Sequence, residues 1–179
     1  MAGLSVAYFL SKSSSVAILE RESHAGTHSS GRSAAVFIES YENYTVSDLT
    51  MDSKDFFLHP PEGFSDHDLM RRRGGLSLVE EGEEKLADEF LDFWSHRCPS
   101  LKMIDKDDVL SRVPAIKPGA FVYGIFDPEL HDIDVYELLS GFSRSIRQHE
   151  GEFFFDFGVE KMAFDGRQWL VNGREQSIS

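Results

Sequence analysis

The sequence contains one cysteine, few basic residues and no long apolar run. Cys98 is the only cysteine among the 179 residues, so neither an intrachain disulfide nor a cluster of cysteine metal ligands can form. Lys and Arg number 18 against 31 Asp and Glu, and the net charge of −13 would repel a phosphate backbone. No apolar run reaches the roughly 18 residues of a membrane span, and no signal-peptide pattern opens the sequence. We therefore expect a cytoplasmic protein with no nucleic-acid partner, no membrane span and no secretion signal.

The composition is that of a folded, globular protein. Hydrophobic residues make up 41% and charged residues 27% of the sequence, close to the averages of soluble domains. A length of 179 residues suits one or two small domains. The seven His residues show no HExxH or other paired spacing, so no metal site is predicted. The basic run 71–73 precedes Gly74 and Gly75 and is interpreted as a solvated strand or turn.

The opening of the sequence follows a helix–turn–strand pattern. The spacing of apolar residues predicts a helix over 2–11 that opens at Gly3, and a polar break follows at 11–15. The apolar run 16–19 is typical of a strand buried on both faces of a parallel sheet, and it ends at Glu20. In a dinucleotide-binding βαβ unit, pyrophosphate lies on the helix amino terminus and an acid about 20 residues after the glycines binds ribose. Only the last glycine of that motif is present, so this pattern alone leaves a nucleotide site and an ordinary structural unit equally open.

The rest of the chain alternates between predicted helices and strands. A Gly-, Ser- and His-rich loop is predicted over 21–34. The predicted helices are 44–58, 82–97 with Leu86, Phe90, Phe93 and Trp94 on one face, 105–112, and a last helix capped by Asp134 with Glu137 in a capping box and ended by Gly151. The predicted strands are 35–38, 70–79 broken at Gly74–Gly75, 120–126, 152–155, 159–164 and 168–171.

Four segments, in family order across nearly the whole chain, resemble the D-amino-acid oxidase (DAO) superfamily. They are AGLSVAYFLS, VAILERE, GTHSSGRSAA, and DIDVYELLSGFSRSIRQHEG followed by a Val before a β-hairpin. HSSGRSAA is the most specific, and the likeness is closest to bacterial D-amino-acid and D-arginine dehydrogenases. The resemblance implies FAD as cofactor and an α/β fold: an FAD-binding Rossmann-like domain of the glutathione-reductase type with an inserted α+β substrate domain, incomplete in this chain. Residues 1–46 and 128–179 would form the FAD-binding domain, and residues 47–127 the substrate domain.

The resemblance also implies roles for single residues in FAD binding. Gly3 would lie against the pyrophosphate, while Glu20 would hold the adenosine ribose with Arg21 beside it. Val159 would offer its backbone to the adenine. The residues that would surround the pyrophosphate, the ribityl chain and the edge of the flavin ring are Ser29, Ser30, Gly31, Arg32, Ser33 and Ala34. For Arg32 a structural ion pair is an equal alternative to a phosphate contact, and for Ser29 and Ser30 the alternative is a helix cap or turn.

The substrate side of the resemblance is weaker. Tyr41 stands where relatives place a tyrosine at the substrate mouth, although a core tyrosine is slightly favoured. Arginine-oxidising relatives have a His at the position of Val36 and a carboxylate near that of Gly74, so these departures weaken a preference for basic substrates. His28 borders the proposed flavin loop, and Cys98 lacks an activating context and is expected to be inert. No catalytic residue is assigned.

The resemblance implies that the chain lacks a strand before Gly3 and the carboxyl-terminal half of the family fold. The family reaction would be oxidative deamination of a D-amino acid by hydride transfer to flavin. We expect the chain alone to fold marginally, to hold FAD weakly and to be inactive, since a missing central strand removes roughly 5 to 12 kcal/mol of burial. The alternatives are another superfamily oxidase or dehydrogenase, acting on sarcosine, glycerol phosphate or a hydroxy acid, and a non-catalytic remnant.

Overall fold

A computed structural model of the chain describes residues 1–173 and 177–178. The helices are α1 (Ala2–Leu10), α2 (Tyr44–Leu58), α3 (Glu84–Trp94), α4 (Lys106–Arg112) and α5 (Val135–Gln148), with one 3-10 turn at Ser30–Arg32. The strands are β1 (Ala17–Leu19), β2 (Val36–Phe37), β3 (Met70–Arg72), β4 (Gly75–Val79), β5 (Lys102–Ile104), β6 (Tyr123–Asp127), β7 (His131–Ile133), β8 (Glu152–Phe154), β9 (Val159–Phe164), β10 (Trp169–Gly173) and β11 (Ser177–Ile178). The described part of the chain contains no helix of the length and apolarity that crossing a membrane requires.

The chain divides into two compact units, and the first contains both ends of the sequence. This first unit comprises 1–34, 60–69 and the described part of 134–179. β1 pairs in parallel with β8, which confirms the parallel strand predicted after the first helix. β9, β10 and β11 form an antiparallel meander, and α1 packs on α5.

Three aromatic rings form the contact between α1 and α5 in the first unit. Tyr8, Phe64 and Phe142 are buried, and their ring centroids lie 5.2 to 5.6 Å apart. Gly141 on α5 makes room for this cluster, because an added Cβ would lie 2.4 Å from Cε1 of Phe64 and 2.5 Å from its carbonyl oxygen. The cluster thus fixes the position of α1 against α5.

The predicted cap and the predicted end of α5 are confirmed, but the capping box with Glu137 is not formed, because the Asp134 amide donates to the Leu69 carbonyl at 2.9 Å. Asp134 Oδ1 accepts a hydrogen bond from the Glu137 amide at 2.9 Å, as a helix cap requires. At the other end Glu150 takes a left-handed φ of 61°, and the Gly151 amide donates to the Ile146 carbonyl at 2.9 Å. A side chain at Gly151 would lie 2.3 Å from Cγ2 of Ile146, which explains the glycine at this position.

The second unit comprises 35–59 and 70–133 and is built on antiparallel sheets. One sheet has the order β2-β7-β3 and another the order β4-β6-β5. Asn43 caps α2 by accepting the Val46 amide at 3.1 Å, and α2 ends at Leu58, before the proline pair as predicted. The buried core residues are Val79, Ala87, Ile125, Ile104, Val109 and Phe121.

Two predictions of burial from the sequence were wrong. On α3 the buried residues are Ala87 and Trp94, whereas Leu86 is 65% exposed and Phe93 44% exposed. The predicted face was displaced because Phe93 stacks on Tyr44 of α2, with ring centroids 4.4 Å apart, instead of entering the core. β1 is not buried on both faces, since Ala17 is exposed and the following two residues are half-buried.

Three short strands were not predicted from the sequence. β5, β7 and β11 have two or three residues each, too few for alternation to be recognised. β7 matters most, because it joins β2 and β3 in one sheet of the second unit. The proposed domain boundaries at 46/47 and 127/128 stay a prediction.

Candidate dinucleotide-binding site

The amino end of α1 lies beside the serine–glycine segment in the first unit. The Met1 amino group donates to Ser30 Oγ at 3.2 Å. Gly3 is in the first turn of α1, and an added Cβ there would meet no atom within 4 Å. The first amides of a helix have no partner within the helix, and the helix dipole makes this end attractive to an anion. The structure therefore leaves open space beside Gly3 at this end of the helix.

The loop before and within the serine–glycine segment is closed by its own backbone. The Gly31 amide donates to the Gly26 carbonyl at 2.9 Å, and the Arg32 amide donates to the His28 carbonyl at 3.2 Å. Gly26 has a left-handed φ of 84°, which favours glycine. A Cβ at Gly31 would lie 2.1 Å from the Gly26 carbonyl oxygen, so no side chain fits at residue 31 unless the backbone moves.

The carboxyl end of β1 is anchored to the segment after β8. The Glu20 amide donates to the Phe154 carbonyl and the Phe157 amide donates to the Glu20 carbonyl, both at 2.9 Å. The Glu20 side chain bonds to the residues that follow it, because its Oε1 accepts the Glu22 amide at 3.0 Å. The half-buried carboxylate is thus held at the carboxyl edge of the two parallel strands.

The side chains of Glu22, His28 and Arg21 connect the end of β1 with the loop. Glu22 Oε1 lies 2.8 Å from His28 Nε2 and 3.2 Å from Arg21 Nε. Hydrogen bonds from His28, and next from Arg21, lower the pKa of the Glu22 carboxyl. A Cβ at Gly158 would lie 3.7 Å from Arg21 Cγ, which places Arg21 next to the residue before β9.

Most of the proposed FAD-binding residues therefore lie along connected parts of one unit. Hydrogen bonds link the start of α1 to Ser30, and the segment around Glu20 to the loop through His28. Arg21 lies next to Gly158, the residue before Val159. The exposed members of the set are Gly3, Arg21, Ser29, Gly31, Arg32, Ser33, Ala34 and Val159. A structural ion pair was the alternative role for Arg32, and among the described residues Arg32 has no ion-pair partner. The roles of these residues in FAD binding stay predictions.

The proposed substrate residue lies in the other unit. Tyr41 belongs to the second unit and is 51% exposed. Its role at a substrate mouth stays a prediction.

Glu22 and Gly26 take part in the site's geometry but could not be identified from the sequence. Gly26 looked like any other glycine of a loop, although its carbonyl receives the Gly31 amide. Glu22 lies two residues after Glu20, which was the only signal available for it. His28 stood out through its place in HSSGRSAA, but its partner depends on how the loop folds back.

The second unit contains a partly buried group of charges. Lys54 Nζ lies 2.5 Å from Glu39 Oε1 and 3.6 Å from Glu129 Oε2, and these acids raise the pKa of Lys54 against the effect of its burial. Burial raises the pKa of the Cys98 thiol to about 11. The thiol therefore stays protonated at neutral pH, in agreement with an inert cysteine.

The paired parallel strands, the helix end and the acid at the strand edge define an α/β protein with a dinucleotide-binding type of unit. The model of the DAO family, described as FAD dependent oxidoreductase, matches residues 1–178. The chain belongs to this family of FAD-dependent oxidoreductases.

Solved structures of two oxidases and a dehydrogenase have a similar fold. Glycine oxidase from Geobacillus kaustophilus has a TM-score of 0.84 at 15% identity, over 99% of this chain and 50% of that chain. An FAD-bound L-alpha-glycerophosphate oxidase from Mycoplasma pneumoniae has a TM-score of 0.80 at 16% identity, over 97% and 47%. L-proline dehydrogenase from P. horikoshii has a TM-score of 0.80 at 16% identity, over 98% and 47%. These similarities confirm the predicted α/β fold, and the matching family model confirms FAD as the family's cofactor.

The chain spans about half the length of these solved structures, since it covers 47% to 50% of each.

Proposed function

We propose that the chain holds the dinucleotide part of FAD in its first unit. Two contacts support this most directly. The Met1 amino group at the start of α1 donates to Ser30, and Glu22 after β1 contacts His28 of the same loop. The geometry also fits the cofactor, because Gly3 faces open space.

Each group would act on FAD through ordinary polar chemistry. The amides at the start of α1 donate to pyrophosphate oxygens. The Glu20 carboxylate accepts hydrogen bonds from ribose hydroxyls, and Arg32 offsets phosphate charge. The hydroxyls of Ser29, Ser30 and Ser33 bind the ribityl chain, while the Val159 backbone meets the adenine. When bound, FAD supplies the acceptor for a hydride from the substrate.

The reaction we propose for the whole protein is oxidation of a small amine or amino acid at the carbon next to nitrogen. Glycine oxidase and L-proline dehydrogenase, whose names refer to amino acids, have the same fold. Within this class we propose a D-amino acid, on the resemblance of HSSGRSAA and the segments around it to D-amino-acid dehydrogenases. The second candidate is a phosphorylated polyol, because L-alpha-glycerophosphate oxidase also shares the fold.

Substitution of Glu20 tests the FAD-binding role. In Glu20→Gln the acceptor for the ribose hydroxyls loses its charge, and we expect the FAD dissociation constant to rise about three- to tenfold. The measurement is a titration of the full chain with FAD, followed by flavin fluorescence. Glu62→Gln removes the charge of an exposed acid of the same unit and should leave the constant unchanged. Equal constants for both variants, or no FAD binding by the wild-type chain, would contradict the proposal.

The substrate class is tested on the whole protein, loaded with FAD and kept without oxygen. Bleaching of the flavin absorbance by D-amino acids, glycine or proline, but not by glycerol phosphate, is the expected result. Bleaching by glycerol phosphate alone would contradict the amine assignment. Bound FAD that no compound reduces would instead favour a non-catalytic remnant.

A further inference from the structure

The two segments that carry the proposed ribose and flavin contacts are each anchored separately. The segment 20–22 is tied by backbone hydrogen bonds to the residues after β8, including the Asp156 amide to the Glu22 carbonyl at 3.1 Å. The loop 26–32 is closed by its own backbone, through Gly31 to Gly26 and Arg32 to His28. Neither set of bonds fixes the loop relative to the end of β1.

Side chains make that connection. His28 Nε2 and Arg21 Nε approach the same Glu22 oxygen, Oε1, at 2.8 and 3.2 Å. Arg21 Nη2 lies 3.4 Å from His28 Nε2. The Glu22 side chain is 32% exposed, less than those of His28 at 55% and Arg21 at 72%, so the carboxylate is the shielded centre of the group. Because Glu20 Oε1 accepts the Glu22 amide, the same residue also touches the proposed ribose ligand.

We propose that His28 and Glu22 are positioning residues for FAD, and that their contact holds the segment 29–34 at a fixed place relative to Glu20. This inference rests on the proposed FAD-binding function. An imidazole N–H at Nε2 can donate to this carboxylate. The hydroxyls of Ser29, Ser30 and Ser33, which follow His28, are thereby held where the ribityl chain would need them.

The contact is tested first without cofactor, by limited trypsin digestion at the Arg32–Ser33 bond. In His28→Ala we expect cleavage at this bond to be about two- to fivefold faster, the range for loss of one exposed ion pair. His24→Ala is the matched control, because His24 Nδ1 contacts the adjacent Ser23 at 3.0 Å and lies in the same loop. His28→Gln keeps an N–H donor and should restore part of the protection. Cleavage of His28→Ala at the rate of wild type and His24→Ala would overturn the proposal.

A double-mutant cycle shows whether the two residues act together. Glu22→Ala and His28→Ala should each speed cleavage, and the double variant should be no faster than Glu22→Ala, which already removes the contact with His28. Additive effects would mean that the residues act independently and would overturn the pairing.

The FAD titration separates this inference from the proposed function. The dissociation constant of His28→Ala should rise by a similar two- to fivefold, with His28→Gln between it and wild type. Faster cleavage with an unchanged dissociation constant would overturn the positioning role. Failure of the wild-type chain to bind FAD would refute the proposed function and the cofactor role together, whereas the digestion would still decide whether the contact holds the loop.

Discussion

Phe64→Ala should lower the free energy of unfolding of the first unit by about 3 to 5 kcal/mol, the usual cost of removing a buried phenylalanine. Phe64 is 2% exposed and packs edge-on against Tyr8 and Phe142, at 5.6 and 5.2 Å. It connects the segment 60–69 with both helices of this unit, so its removal leaves a cavity between α1 and α5. The measurement is urea unfolding followed by circular dichroism.

A matched substitution on α1 separates burial from aromatic content. Phe9 belongs to the same unit but is 61% exposed. Because alanine is a better helix former than phenylalanine, Phe9→Ala should change stability by less than about 1 kcal/mol. Equal losses for Phe9→Ala and Phe64→Ala would contradict the core described for the first unit.

Gly31→Ala should weaken FAD binding by about 5- to 150-fold. The added Cβ would lie 2.1 Å from the Gly26 carbonyl oxygen, and a backbone atom cannot rotate away as a side chain can. The loop must therefore shift, at a cost of about 1 to 3 kcal/mol, and the amide of residue 31 moves with it. Isothermal titration with FAD measures the dissociation constant, and unfolding curves show that the variant is folded.

Gly119→Ala is the control for this substitution. An added Cβ at Gly119 meets nothing within 4 Å, and the residue lies in the second unit. Its dissociation constant should equal that of wild type. If Gly31→Ala also bound FAD with wild-type affinity, the segment 29–34 would not lie at the cofactor.

The sequence predicted the elements whose ends carry strong local signals. α5 begins at the predicted cap Asp134, and α2 begins at the predicted residue 44 and ends just before a proline pair. The break between β3 and β4 falls at the predicted glycines, where Gly74 has a φ of 77°. In each case one or two residues determine the backbone, so the neighbours in space are not needed.

The parts that could not be predicted depend on contacts between distant residues. Phe93 was placed in the core by helical periodicity, but its ring stacks on Tyr44, 49 residues earlier. In the candidate site, the resemblance was enough to name Gly3, Glu20 and the loop 29–34. The contact between the Glu22 carboxylate and His28 could not be predicted, because it exists only after the loop has folded back on the end of β1.

The central claim is that α1, the end of β1 and the loop 29–34 bind one dinucleotide, and amide chemical shifts measured during FAD titration of the labelled chain test it most directly. The account predicts that the largest changes fall together on Gly3, Glu20 to Glu22, residues 29–34 and Val159, with one common dissociation constant. Changes confined to the second unit, or changes at one of these segments while the others stay fixed, would contradict it.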